Sequence, residues 1–117
     1  MILFATLLAI CASGPRDNCV IDGDTFRLNG ERVRIVNVDA AEINGKCPDE
    51  RRRALAARDR LQSLLSEGSI VLVREGADRD RYGRLLRRVF INGRDVGNQL
   101  VAEQHARVWE GRRRPWC

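Results

Sequence analysis

Thr25-Phe26-Arg27-Leu28-Asn29-Gly30-Glu31-Arg32-Val33-Arg34-Ile35-Val36-Asn37-Val38 reads as a β-hairpin. Asn-Gly between two alternating runs is a strong turn signal, because both central residues must tolerate positive φ. Val33, Ile35 or Val36, and Val38 are expected on the core face, with Arg34 on the other. Val20-Ile21 leads into the hairpin and makes a third strand.

Downstream, Pro48 to Ser66 reads as one amphipathic helix. Pro48 suits the first turn, and Asp49 and Glu50 complement the positive helix end. Leu55, Leu61, Leu64 and Leu65, with Ala54 and Ala57, form its apolar face. Arginines 51, 52, 53, 58 and 60 are read as solvated outer surface. Gly68 stops the helix. Ile70 to Val73 is a strand, 75–84 a charged loop, and Leu85 to Ile91 another strand. Asn92-Gly93 then turns the chain into a short helix, Asp95 to Gln104, burying Val96, Leu100 and Val101. Strands first, then a helix, two strands and a helix suggest a small Greek-key barrel with flanking helices.

The 117 residues suit one domain. On folding, such a chain buries roughly two-thirds of its unfolded surface. The net charge is +5, and Lys46 is the only lysine. Arginine suits planar, bidentate phosphate contacts, so nucleic acid or an acidic membrane surface is the expected partner class. Residues 1–13 read as a signal peptide or, alternatively, an apolar N-terminal strand. The run is too short to span a bilayer, so stable membrane insertion is not expected. Export makes a secreted or periplasmic location the expectation. Residues 18–110 form the folded domain and 111–117 a basic tail. Cys11, Cys19, Cys47 and Cys117 allow three full pairings. None has C-x-x-C spacing, which argues against zinc. Export would favour disulfides.

Three polar segments carry the chemistry: Asp22-Gly23-Asp24-Thr25, Arg34 to Glu42, and Asp80-Arg81-Tyr82-Gly83-Arg84. Carboxylates hold hard cations and guanidinium groups clamp phosphate oxygens, a combination suited to phosphodiester hydrolysis. Each segment alone reads equally as a turn or a solvated strand end. His105, the one histidine, lies outside all three and is read as a surface or packing residue.

In order and spacing these segments, with Leu100 to Ala106, resemble the staphylococcal-nuclease-like (thermonuclease) family over Val20 to Trp109. The resemblance implies an α+β, mainly β fold: a five-stranded OB-fold Greek-key barrel with about three flanking helices. It implies a calcium-dependent endonuclease acting on DNA and RNA, with a monomer as the default. Carried over by position, Asp24, Asp39 and the Ala40 backbone carbonyl would bind calcium. Glu42 would act as general base, Arg34 and Arg84 would hold phosphate, and Tyr82 would lie near the nucleotide. Asp22 would support the site from behind. The alternative is a non-catalytic nucleic-acid or protein-binding module; the complete charged set favours catalysis.

The sequence departs from the family pattern at several positions. Ala40 replaces threonine, and Ala41 replaces a proline, which should loosen the placement of Glu42. Gln104-His105 replaces the helix-ending Gly-Leu. Trp109 could stack on a base where the family carries tyrosines, or pack in the core. In this fold the loop after Glu42 and the segment after the last helix both flank the pocket. The resemblance therefore suggests a Cys47–Cys117 bridge pinning the tail beside the site, with Cys11–Cys19 as a second bridge if the leader is retained.

Overall fold

A computed structural model of the chain describes residues 8–11 and 17–117. Most of the leader expectation for residues 1–13 therefore lies outside the described residues. The elements in order are β1 (Ala9–Ile10), β2 (Cys19–Asp22), β3 (Thr25–Leu28), β4 (Glu31–Ile35), β5 (Val38–Asp39), α1 (Pro48–Leu65), β6 (Ile70–Val73), β7 (Leu85–Ile91), β8 (Arg94–Asp95), α2 (Val96–Ala102) and β9 (Arg107–Val108).

The main sheet is mixed. Its path runs β1-β2-β3-β4-β7-β6, with β8 paired to β7, while β5 and β9 form a separate two-stranded ladder. β4 meets β7 in parallel, and so does β1 with β2; the remaining pairs are antiparallel. Among the described residues the hydrogen-bonded path does not close on itself, because β5 takes β9 as its partner rather than extending the main sheet. Two helices are present among the described residues, against the three the resemblance implies. After β9 the chain bends at Gly111, which takes φ +86°, and no further helix forms through Cys117. The left-handed backbone at Gly111 and the missing N–H of Pro115 both disfavour one.

Asn29 and Gly30 take φ of 50° and 83°, as the two-residue turn requires, and Asn92 and Gly93 repeat the device between β7 and β8. The core gathers Val20, Phe26, Val33, Ile35, Val38 and Val89 from the strands with Leu61, Leu65, Val96 and Leu100 from the helices. Ile35 rather than Val36 is the inward residue.

Leu55 corrects the helix reading, for it is 42% exposed. The buried face of α1 is Glu50, Ala54, Ala57, Leu61, Leu64 and Leu65, and Leu55 stands one residue, about 100°, off that stripe. Val101 is half-buried rather than buried. Gln104 adopts φ +64°, so the second helix ends through a left-handed residue without the glycine that usually supplies one. The described part of the leader is held in place. Ala9–Ile10 pairs with Cys19–Val20, the Leu8 N–H donates to Ser66 Oγ, and Gln62 donates to the Leu8 carbonyl.

Candidate active site

Asp22-Gly23-Asp24-Thr25 is the two-residue turn that joins β2 to β3, with Asp22 facing Thr25 across it. Gly23 is there for space. A Cβ would lie 2.6 Å from the Ala57 Cβ on α1 and 2.9 Å from the Ala40 Cβ. The turn is thereby pressed between the helix and the strand end that carries Asp39. Asp24 is 1% exposed and fully engaged. Its Oδ2 accepts the Ala40 N–H at 3.1 Å and its Oδ1 accepts the Thr25 hydroxyl at 3.0 Å. Arg34 approaches Asp24 Oδ2 at 3.8 Å.

Burial would raise the pKa of Asp24. Arg34, a hydrogen bond with Asp22, Arg113 and the Ala40 N–H outweigh it and hold the value down. Asp22 goes the other way, up to about 7, through burial first and then the neighbouring Asp24 charge. Two carboxylates this close do not ionise equally, and Asp24 keeps the charge.

Arg34 lies opposite the core residues Val33 and Ile35, yet it is 5% exposed. Its guanidinium donates to the Ile35 carbonyl and lies 5.3 Å from the Trp109 ring centroid. Trp109 is therefore spent in part on positioning an arginine. Arg84 is aimed by its own loop. Its Nε donates to Asp80 Oδ2 at 2.7 Å, its backbone N–H to Asp80 Oδ1 at 3.0 Å, and its Nη1 to Thr25 Oγ1 at 3.3 Å. Thr25 thus links Arg84 to Asp24. Tyr82 is 57% exposed, with Arg81 and Arg84 against its ring.

Asp39 ends β5 and is buried, and its Oδ2 has no hydrogen-bond partner. A buried, unpartnered carboxylate oxygen is costly. With Asp24 and the Ala40 carbonyl beside it, the donor set is all oxygen and carries two carboxylates, which fits a hard divalent cation.

Glu42 is solvent-exposed, but its loop is not loose. Glu50, buried in the first turn of α1, accepts the Glu42 N–H at 3.3 Å and the Lys46 N–H at 3.0 Å. Arg51 donates to the Gly45 carbonyl at 2.8 Å. Gly45 is needed because a Cβ would sit 2.4 Å from Glu50. Glu50 thus supplies restraint where Ala41 lacks the ring of proline. Sequence reasoning read Glu50 only as a helix-dipole partner; a buried acid at the apolar stripe of α1 was its available signal.

The tail also belongs to the site. Cys47 is bonded to Cys117, and Cys11 to Cys19. Cys47, Glu50 and Cys117 cluster, but with both sulfurs in a disulfide they offer no thiolate to a metal. Arg107 donates to the carbonyls of Arg114 and Pro115 and stacks 3.5 Å from the Trp116 ring centroid. Arg113 is thereby delivered over the acids. Its Nη1 donates to Asp39 Oδ1 at 2.7 Å and to the Ala40 carbonyl at 3.2 Å. It also meets Asp24 Oδ2 at 3.7 Å and Glu42 Oε1 at 3.4 Å. A pocket of about 300 Å³ opens beside Glu42, between Lys46 and the tail residues Arg113, Arg114 and Trp116.

Residues 32–115 match the family described as staphylococcal nuclease homologue. The chain belongs to that family. The matched span holds Arg34, Asp39, Glu42 and Arg84, with Asp22 and Asp24 just upstream. Similar proteins include the succinoglycan biosynthesis protein ExoI of Rhizobium meliloti (strain 1021), 39% identical over 92 residues, 74% of this chain and 48% of that protein. Endonuclease YncB of Bacillus subtilis (strain 168) is 36% identical over 93 residues, 75% and 44% of the two chains. The SPbeta prophage-derived endonuclease YokF of the same strain is 32% identical over 93 residues, 75% and 31%. The matches cover less than half the length of each of these relatives.

Proposed function

We propose that this domain is a calcium-dependent nuclease that hydrolyses phosphodiester bonds of DNA and RNA. The observation that carries the reading is the convergence of Asp24, Asp39, Glu42, Arg34 and Arg84, drawn from three separate stretches of chain, around one acidic centre. The endonuclease names of two relatives support it.

Asp24, Asp39 and the Ala40 carbonyl would hold the cation. When bound, calcium supplies positive charge beside the phosphate and leaves coordination positions for its oxygens and water. The rest falls to the chain. Arg34 and Arg84 donate hydrogen bonds to the nonbridging oxygens, and their preset positions stabilise the extra charge of the transition state. Glu42, at the exposed mouth, accepts the proton of the attacking water. Asp22 backs Asp24 from behind, and its raised pKa leaves the charge on Asp24. Tyr82, exposed beside Arg84, flanks the nucleotide, and Trp109 steadies Arg34. The proposal includes export, supported by the two disulfides, and a monomeric state. No described helix is long and apolar enough to cross a membrane.

The test incubates purified protein with single- and double-stranded DNA and RNA, in calcium or in chelator, beside Glu42→Gln. Cleavage that is lost in chelator and falls at least about a hundredfold in the variant supports the mechanism. Equal degradation in chelator, or by the variant, refutes it. Binding without cleavage favours a docking module.

A further inference from the structure

The four groups that Arg113 touches are the two carboxylates and the carbonyl that would hold calcium, together with the candidate base. A guanidinium and a divalent cation repel each other and compete for the same space over these oxygens. Asp39 Oδ1 is 2.7 Å from Arg113 Nη1, well inside the space an ion on that oxygen would need. We propose that Arg113 is a built-in competitor for the cation, which sets the concentration of divalent ion at which the site loads. This rests on the calcium reading above.

Two observations carry it. The contacts are numerous: Asp24, Asp39, Ala40 and Glu42 are all engaged by one side chain. The backbone that presents Arg113 is fixed immediately beyond it, at residues 114–117. The Cys47–Cys117 bridge closes a sequence separation of 70 residues, and Arg107 clasps the carbonyls of Arg114 and Pro115 while stacking on Trp116.

The consequence is a tax on ion affinity. A site that is open for only a fraction of the time binds more weakly by that fraction. The disulfide keeps the competitor at high local concentration, as any short tether does. Cutting the tether should therefore tighten ion binding, as should removing the guanidinium. Arg113 is a tuning residue of the site and needs no contact with substrate to act.

The experiment titrates calcium chloride alone, without nucleic acid, into the full chain, Arg113→Gln, Arg113→Lys and the double variant Cys47→Ser/Cys117→Ser, followed by calorimetry. Circular dichroism of each variant checks folding. Arg113→Gln and the double variant should bind calcium about tenfold more tightly, with Arg113→Lys closer to the parent. In nitrogen-edited spectra of the parent, the Arg113 Nε–H signal should shift as calcium is added. Equal or weaker binding by Arg113→Gln overturns the inference and leaves the calcium reading standing. Absence of calcium binding in both the parent and Arg113→Gln overturns both.

Discussion

The Arg34 guanidinium lies over the Trp109 ring, 5.3 Å from its centroid. Trp109 directly follows β9, where its backbone N–H donates to the Asn37 carbonyl at 3.0 Å. A residue from outside the polar motifs thus supports a charged group inside one. A desolvated pairing of this kind contributes about 1–2 kcal/mol.

Trp109→Ala should lower kcat on DNA roughly tenfold, while Trp109→Phe, which keeps an aromatic face, should retain most of the activity. A cycle with Arg34→Lys isolates the pair. If the two losses add independently, Trp109 does not act through Arg34.

Glu50 anchors the Glu42 loop through two backbone N–H groups. Leaving them without an acceptor costs about 1–3 kcal/mol. Glu50→Ala should lower the thermal midpoint and reduce turnover, since Glu42 then wanders. Gly45→Ala should do the same by pushing Glu50 away. Thermal melts alongside kcat measurements check both.

Arg60 on α1 grips Glu103 beyond α2 with Nε and Nη2, at 2.6 and 2.9 Å. Hydrogen bonds from Arg60 and Gln99 bring the Glu103 pKa from 4.5 down to about 2. The folded value lies below the unfolded one, so the contribution is complete above about 4.5 and is lost as pH falls towards 2. Solvent screening of this partly exposed pair limits it to about 1 kcal/mol. Glu103→Gln should therefore destabilise the protein at pH 6 and make little difference near pH 2.5, read from urea midpoints.

The Cys47–Cys117 bridge closes a long loop, with a sequence separation of 70. Chain-entropy reasoning gives an upper figure of about 4 kcal/mol. Guanidinium unfolding of the Cys47→Ser/Cys117→Ser variant should show a loss of a few kcal/mol, well above that from opening the short Cys11–Cys19 loop.

Much of the architecture was legible because it is local. Asn29-Gly30 dictates its turn, and the stripe of α1 follows from spacing, with Leu55 as the residue that the 100° step sets aside. The charged motifs were legible as types, and the structure brings Asp24, Asp39, Glu42, Arg34 and Arg84 together. Arg113 was not. In sequence it is the middle of three arginines, and nothing local distinguishes it from Arg112 or Arg114; only a bridge across the fold selects it. The pairing of β5 with β9 is likewise a long-range choice that two-residue strands leave unmarked. Glu50 hid behind a second role, since an acid in the first turn of a helix already has a sufficient reason to be there.

Gly23 has a last implication. With no side chain between the aspartate turn and α1, the helix acts as a mechanical stop, and the spacing of Asp22 and Asp24 is gauged against Ala57 rather than within the turn. Alignment of the acids is then a property of how the helix is seated. A cavity made at Leu61, one turn further along the same face, would let that stop recede and would detune the site without touching any group in it.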